Sequence, residues 1–184
     1  LEELFHQLAQ DKIWRVRADV AINPNCSEEL FHQLAQDGDW RVRIAVAKNP
    51  NCPEALLHQL AQDEDSGIRD VREGVAENLN TSVELLQQLA QDENEEVRYT
   101  VAKNPNCPEA LLQQLAQDGD LGVRRGVAYN PNCPESLFQQ LGDWGVARNP
   151  NTSEELLYQL AQDGDSRVRG GVAYNPNCPE SLFQ

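Results

Sequence analysis

The chain has 184 residues, of which 15 are Lys or Arg and 30 are Asp or Glu, so its formal net charge is −15 at pH 7. So acidic a chain is not expected to bind nucleic acid or anionic membranes, because binding phosphates requires clustered Lys and Arg. Its longest apolar runs are only a few residues, which excludes a transmembrane helix, and no basic-then-apolar signal peptide opens the chain.

An Asn-x-Asn tripeptide recurs along the chain and defines a tandem repeat. It begins at seven positions: Asn23, Asn49, Asn78, Asn104, Asn130, Asn149 and Asn175. Four of the six intervals between these positions are equal, and six of the seven tripeptides read Asn-Pro-Asn. Repetition at such a period is typical of a solenoid, in which each repeat is stabilised by its stacked neighbours.

The first predicted helix of each repeat begins just after the tripeptide. A proline stands in its opening turn, where the missing N–H costs no hydrogen bond, at Pro53, Pro108, Pro134 and Pro179. In two copies, Thr81 to Glu84 and Thr152 to Glu155, we predict a capping box with Thr as the N-cap residue. Apolar residues then recur at i, i+1, i+4 and i+5, as in Leu30 to Ala35, which indicates one helical stripe.

The second predicted helix follows an acidic loop such as Asp37 to Asp39. Val42, Ala45 and Val46 form its apolar stripe, and Pro50 ends it, because the residue before a proline is disfavoured in the α conformation. A helix of about two turns is marginal in isolation and needs stacked neighbours. The sequence therefore predicts an all-α solenoid of about seven two-helix repeats.

The complete repeat is Asn-Pro-Asn-Cys-Pro-Glu-x-Leu-x-x-Leu-Ala-Gln-Asp followed by Val-Arg-x-x-Val-Ala. This pattern resembles the leucine-rich repeat variant family over essentially the whole chain. The resemblance implies alternating α and 3₁₀ helices in a right-handed superhelix, without the strand of ordinary leucine-rich repeats. A founding member carries an iron–sulfur cluster in a separate cysteine-rich segment, and no such cluster is carried over here. Residues 165–169 carry a weaker resemblance to HEAT-like repeats.

Two repeats break the period. In the first, residues 49–77, three extra residues around Asp63 to Asp70 predict a longer loop. The second, residues 130–148, lacks seven residues, which predicts either a local kink in the superhelix or a gap in the sequence as given. Because the chain lacks Met and begins at Leu1, we expect residues 1–184 to be one repeat domain from a longer array or multidomain protein. Both ends fall within a first helix, which favours end-to-end self-association.

The five cysteines occupy one position of the repeat: Cys26, Cys52, Cys107, Cys133 and Cys178. Packed helices lie about 10 Å apart, whereas a disulfide needs Cα atoms within about 7 Å. No C-x-x-C pair is present to hold zinc or a cluster. Thr81 and Thr152 replace Cys at this position, so we expect free thiols at the helix N-caps, no metal or cofactor, and a reducing cytoplasm.

Other recurring polar residues have structural interpretations. His6, His32 and His58 share a position that later accepts Gln and Tyr, which predicts solvent-facing residues rather than ligands. The acidic loops lack the closing Glu of a calcium loop, so their second acid or Asn is expected to cap the next helix. An arginine after the core Val is expected to pair with a loop Asp; these arginines are Arg17, Arg43, Arg72, Arg98, Arg124 and Arg169.

Variation along the second helices indicates one candidate binding surface. Residue 44 lies midway between the core residues Val42 and Val46, so its position is expected to point outward in every repeat, from Ala18 onward. This position and the one four residues later carry aromatic and basic residues that we call the candidate strip: Tyr99, Lys103, Arg125, Tyr129, Trp144, Arg148 and Tyr174. Its composition is typical of a recognition surface, although an ordinary variable solvent face is the alternative.

No catalytic motif is present, since the sequence lacks a nucleophile elbow, a zinc-protease motif and a P-loop. We therefore predict a non-enzymatic scaffold that binds a protein or peptide of neutral or basic surface. Two alternatives stay open. One is a HEAT-like lyase or chaperone subunit that handles a chromophore or cofactor in an apolar pocket. The other is a sensor segment of a larger signalling or defence ATPase.

Overall fold

The computed structural model describes residues 2–63 and 68–183, and all regular secondary structure in these ranges is helical. In chain order the α-helices are α1 (Glu2–Leu8), α2 (Trp14–Ile22), α3 (Glu28–Leu34), α4 (Trp40–Lys48), α5 (Glu54–Leu60), α6 (Ile68–Glu77), α7 (Val83–Leu89), α8 (Glu95–Lys103), α9 (Glu109–Leu115), α10 (Leu121–Tyr129), α11 (Phe138–Leu141), α12 (Asp143–Arg148), α13 (Glu154–Leu160) and α14 (Ser166–Ala173). Short 3₁₀ helices span Glu135–Leu137 and Glu180–Phe183. The predicted all-α fold of two-helix repeats is confirmed.

The chain divides into two compact parts, residues 1–97 and 98–184. In the first part α4 packs between α2 and α6, and in the second α12 packs between α10 and α14. The predicted stripes form the core: Leu30 and Phe31 of α3 and Val42 and Val46 of α4 are each at most 2% exposed. Burial of each such side chain contributes about 1.5–3 kcal/mol. That all 184 residues form one domain stays a prediction.

A buried asparagine ends the second helix of a repeat and bonds it to the preceding repeat. The Asn49 amide donates to the carbonyls of Ala21, at 2.7 Å, and Asn23, at 3.2 Å. Its Oδ1 accepts the N–H of Asn51 at 2.8 Å, which closes the turn. The same contacts recur at Asn78, Asn130, Asn149 and Asn175. Carbonyls at the end of one helix thus gain the partners that the helix itself cannot supply.

Arginine and aspartate side chains of successive repeats pair at a constant separation along the chain. The pairs are Arg17–Asp37, Arg43–Asp63, Arg72–Asp92 and Arg98–Asp118. In the first, Nε and Nη2 of Arg17 donate to the two carboxylate oxygens of Asp37 at 2.6 and 2.8 Å. This two-point geometry is the strong form of the ion pair, and it confirms the predicted pairing for these four arginines.

The second acid of the acidic loop caps the following helix, as predicted. Asp39, Asp120 and Asp165 accept backbone N–H groups of the first turn at 3.0, 3.1 and 2.8 Å. Asn94 does the same for α8 at 2.9 Å. The longer loop expected between Asp63 and Asp70 falls largely on residues 64–67, which lie outside the described residues.

The predicted N-caps of the first helices are wrong by one residue. Ser82 and Ser153, not the preceding threonines, are the N-cap residues of α7 and α13, and Pro53 takes this place in α5. Thr81 is instead buried, and its Oγ1 donates to the carbonyl of Val75 at 2.6 Å. A buried hydroxyl must find a partner, and the carbonyl at the end of the preceding helix provides it. The predicted capping boxes are therefore absent.

The cysteines lie at this same position before the N-cap. All five are free, and all except the half-buried Cys178 are buried. Burial raises the pKa of the Cys52 and Cys107 thiols to about 12 and that of the Cys26 and Cys133 thiols to about 11. These four thiols are therefore protonated at neutral pH, and a protonated thiol is a poor nucleophile.

Replacing Asn49 with Ala should lower the free energy of unfolding by about 2–3 kcal/mol, because the buried Ala21 carbonyl loses its side-chain donor and the Asn51 N–H loses its acceptor. The measurement is urea denaturation followed by circular dichroism. Asn51→Ala is the matched control, since its amide makes a single exposed bond, to the carbonyl of Pro24 at 3.0 Å. Equal losses in the two variants would contradict the stabilising role of the buried amide.

In a thiol titration with an aromatic disulfide at pH 8, Cys178 should react first and the four buried thiols much more slowly. The reason is that access and ionisation both limit the rate. Five thiols should react once the chain is unfolded without reductant. Rapid reaction of Cys52 or Cys107 in the folded protein would overturn the assigned burial.

Candidate functional site

The candidate strip lies on α8, α10 and α12 and on Tyr174, the C-cap residue of α14, all within residues 95–174. Lys103, Arg148 and Tyr174 are exposed, and Tyr174 is 77% exposed. Tyr129 and Trp144 are only half-buried. The strip is therefore partly open to solvent.

The expectation that the position of residue 44 points outward in every repeat is wrong. Its counterpart Ala18 is only 6% exposed, and Ile44 is half-buried. A second helix in the middle of a stack has a second helix on each side, as α4 has α2 and α6. Residues on its flanks therefore contact these neighbours, and only a narrow face is left to solvent.

Within residues 98–184 the strip forms a series of cation–ring contacts. The guanidinium carbons of Arg125 and Arg148 lie 4.9 and 5.5 Å from the ring centroid of Trp144. Arg148 also lies 5.0 Å from the ring centroid of Tyr174. Separations below about 6 Å are favourable, and each contact is worth about 0.5–1 kcal/mol at an exposed site. Arg148 is thereby held by two rings.

Tyr129 completes this group of side chains. Its ring meets Trp144 at 5.7 Å between centroids and 78° between planes, which is the favoured edge-to-face arrangement. Burial raises the pKa of the Tyr129 phenol, against the opposite effect of Arg148 and Arg125. The phenol is therefore neutral at pH 7 and can donate a hydrogen bond.

Lys103 and Tyr99 form a separate contact at the other end of the strip, with the Lys103 Nζ 5.2 Å from the ring centroid. Tyr99 lies against α10 where Gly126 leaves room for it. A Cβ on Gly126 would stand 2.9 Å from both the Tyr99 ring and the Tyr99 carbonyl. The structure thus brings five strip residues into one cluster, and the remaining two form a pair in which Tyr99 lies beside α10.

The short repeat places Trp144 in this cluster. Gly142 has φ of 77°, a left-handed conformation that only glycine adopts readily, and it joins α11 directly to α12 without an acidic loop. A Cβ on Gly145 would stand 2.6 Å from the Cβ of Ala128, so α12 approaches α10 more closely than a larger residue would allow. The close approach at Gly145 also occurs at Gly126 and Gly171, whereas the positive φ of Gly142 is specific to the short repeat.

A second cation–ring cluster, which the sequence patterns did not predict, lies on α2 and α4. The guanidinium carbon of Arg41 lies 4.8 Å from the Trp14 ring centroid and 4.9 Å from that of Trp40. The signal was present, because Trp-Arg-Val-Arg occurs twice, beginning at Trp14 and again one repeat later at Trp40. Arg41 also pairs with Asp39 at 3.3 Å.

The histidines differ in their exposure to solvent. His32 is exposed, whereas His6 and His58 are half-buried. Among residues 2–63 and 68–183, no group of three or more His, Cys, Asp or Glu side chains is arranged to hold a metal ion. The helices in these same ranges are all too short or too polar to cross a membrane.

Comparison with known proteins identifies the repeat. Residues 70–129 match a family model described as Leucine Rich Repeat Variant domain, and residues 40–65 match one described as Leucine rich repeat variant. A solved structure described as "a leucine-rich repeat variant with a novel repetitive protein structural motif" is 27% identical, with a TM-score of 0.61. The match covers 98% of this chain and 78% of that chain. The curated proteins contain no significant match. The chain is therefore a helical repeat protein that is similar to the leucine-rich repeat variant family.

Proposed function

We propose that the chain is a non-enzymatic scaffold that binds a protein or peptide through the candidate strip. The observation that supports this best is Arg148, which lies between Trp144 and the largely exposed Tyr174. Trp, Tyr and Arg are the residues that most often dominate the binding free energy of an interface. Because these side chains already contact one another, they lose less conformational entropy when a partner binds.

The charge of the chain defines the kind of partner. A net charge of −15 attracts basic protein surfaces at long range, does not repel neutral ones, and disfavours nucleic acid and anionic membranes. Free thiols also fit a reducing cytoplasm, which we propose as the compartment. The lyase or chaperone and the sensor-segment alternatives stay predictions, because no contact among the described residues favours either.

A photo-crosslinking amino acid at position 174 should capture a protein partner in cells that express the full chain. The same group at Tyr158 on α13 is the control, since Tyr158 lies outside the strip, with its hydroxyl hydrogen-bonded to Ser181. A partner captured at 174 and not at 158 is expected. Equal capture at both positions would mean that contact is not confined to the strip.

Tyr174→Ala should then lower the affinity for that partner at least about tenfold, whereas Tyr158→Ala should leave this affinity unchanged. Tyr174 is chosen because its side chain is 77% exposed, so its removal should not unfold the chain. Trp144→Ala should weaken binding and also lower the urea midpoint, because Trp144 packs against Tyr129. Unchanged affinity of Tyr174→Ala by calorimetry would refute the strip as the binding surface.

A further inference from the structure

The short repeat interrupts the series of Arg–Asp pairs. In each complete pair the aspartate follows the arginine at the same separation, as Asp37 follows Arg17. At this separation after Arg124, the residue is Trp144 and not an aspartate. At the same separation before Asp163, the residue is Asp143 and not an arginine. The seven missing residues therefore removed one aspartate and one arginine from the series.

Arg124 keeps the bond to its own loop that Arg17 and Arg43 also make, and it lacks only the aspartate side chain of the next repeat. Its Nη1 donates to the carbonyls of Asp118 at 2.6 Å and Gly119 at 3.1 Å. Arg169, the last arginine of the series, likewise donates to the carbonyls of Asp163 at 2.7 Å and Gly164 at 3.0 Å. The predicted pairing with an aspartate side chain is therefore wrong for Arg124, because Trp144 stands where its aspartate would be.

Asp163 is left without the cation that its counterparts have. Its Oδ1 accepts the N–H of Asp165 at 2.7 Å, which is the turn contact that Asp37 and Asp118 also make. No Lys or Arg of the described residues forms an ion pair with the Asp163 carboxylate. In the four complete pairs, the same carboxylate binds a guanidinium through both oxygens.

Asp163 lines an open cavity of about 280 Å³ that we call the Asp163 pocket. Its other walls include Asp165, Val168, Gly142, Trp144 and Arg125. Asp165 is paired with Arg167 at 2.6 Å, and the Arg125 guanidinium is held against the Trp144 ring. Asp163 is thus a carboxylate of this cavity that forms no ion pair with a described Lys or Arg.

A regular repeat shows what its loop aspartate binds. The cavity of about 250 Å³ beside α4 is lined by Asp37, Arg43 and Asp63. Arg43 spans it: its Nη1 donates to the carbonyl of Asp37 at 2.7 Å, and its other nitrogens donate to the Asp63 carboxylate. An arginine side chain therefore fits between two successive loops of this fold.

We propose that the Asp163 pocket binds an arginine side chain of the protein partner, whose guanidinium pairs with both oxygens of Asp163. This inference rests on the proposed function, because the pocket adjoins the candidate strip at Trp144 and Arg125. Arginine is favoured over lysine because its planar fork matches a carboxylate at two points, as in the four pairs within the chain. The aliphatic part of the arginine would lie against Val168 and Trp144.

The probe is N-acetyl-arginine methylamide, titrated into the full chain and followed by amide and indole NMR shifts. Saturating shifts are expected at Asp165 and at the Trp144 indole. The lysine analogue should bind about fivefold more weakly, and the neutral citrulline analogue should not bind measurably. Equal shifts with the three analogues, or shifts spread over all the acidic loops, would overturn the proposal.

Two variants separate the pocket from general attraction to an acidic chain. Asp163→Asn should abolish the saturating shifts. Glu109→Gln removes one negative charge at an exposed position of α9 and should leave the saturating shifts unchanged. Asp143→Arg restores an arginine at the regular separation before Asp163, so it should compete with the probe and raise the urea midpoint. Unchanged probe binding in either Asp163→Asn or Asp143→Arg would refute the assignment.

The partner captured at position 174 distinguishes this inference from the proposed function. Weaker partner binding by both Tyr174→Ala and Asp163→Asn supports the two together. If Tyr174→Ala weakens the partner but Asp163→Asn does not, the pocket fails and the scaffold function stands. If the probe binds at Asp163 but Tyr174→Ala leaves the partner unaffected, the strip fails as the binding surface.

Discussion

The stacking of the repeats depends on the hydrogen bonds made by the buried side-chain amide of the asparagine that ends a second helix. The second helices have six to ten residues, which is too short to be stable in water without neighbours. Asparagine offers two donors and an acceptor on a short side chain. At Asn49 these reach two carbonyls of the preceding repeat and the N–H of the following turn at the same time. An aspartate would lack the donors.

This bond explains how the fold accommodates the short repeat. Asn149 is fully buried, and its amide donates to Ala128 at 2.6 Å and Asn130 at 2.9 Å, as in the regular repeats. The seven missing residues come from the acidic loop and its flanks, which contribute the Arg–Asp pairs and not the asparagine bonds. The repeat therefore keeps its attachment to the stack, although it loses its outer ion pairs and the first of its two core valines, whose position is taken by Gly142.

The same interruption brings the strip and the Asp163 pocket together. Without an acidic loop, Trp144 comes one residue after the start of α12, where it contacts Tyr129, Arg125 and Arg148. It also forms a wall of the pocket. An aromatic ring beside a carboxylate without an ion-pair partner is a chemical combination suited to a basic protein segment. The proposed recognition therefore depends on a departure from the repeat rather than on the repeat itself.

The sequence alone determined the repeat, the helical stripes, the acidic caps and the Arg–Asp pairing of the regular repeats, because each of these depends on residue types at fixed local spacing. Tertiary structure decided the rest. Thr81 was misplaced as an N-cap because its hydroxyl bonds a carbonyl in the preceding helix, which spacing within its own helix does not reveal. Ala18 was expected outside because a helical projection of one repeat omits the helices that pack on its flanks. The lack of an arginine partner for Asp163 could not be predicted from one repeat alone. The separation between arginine and aspartate along the chain is set by the stacking of one repeat on the next.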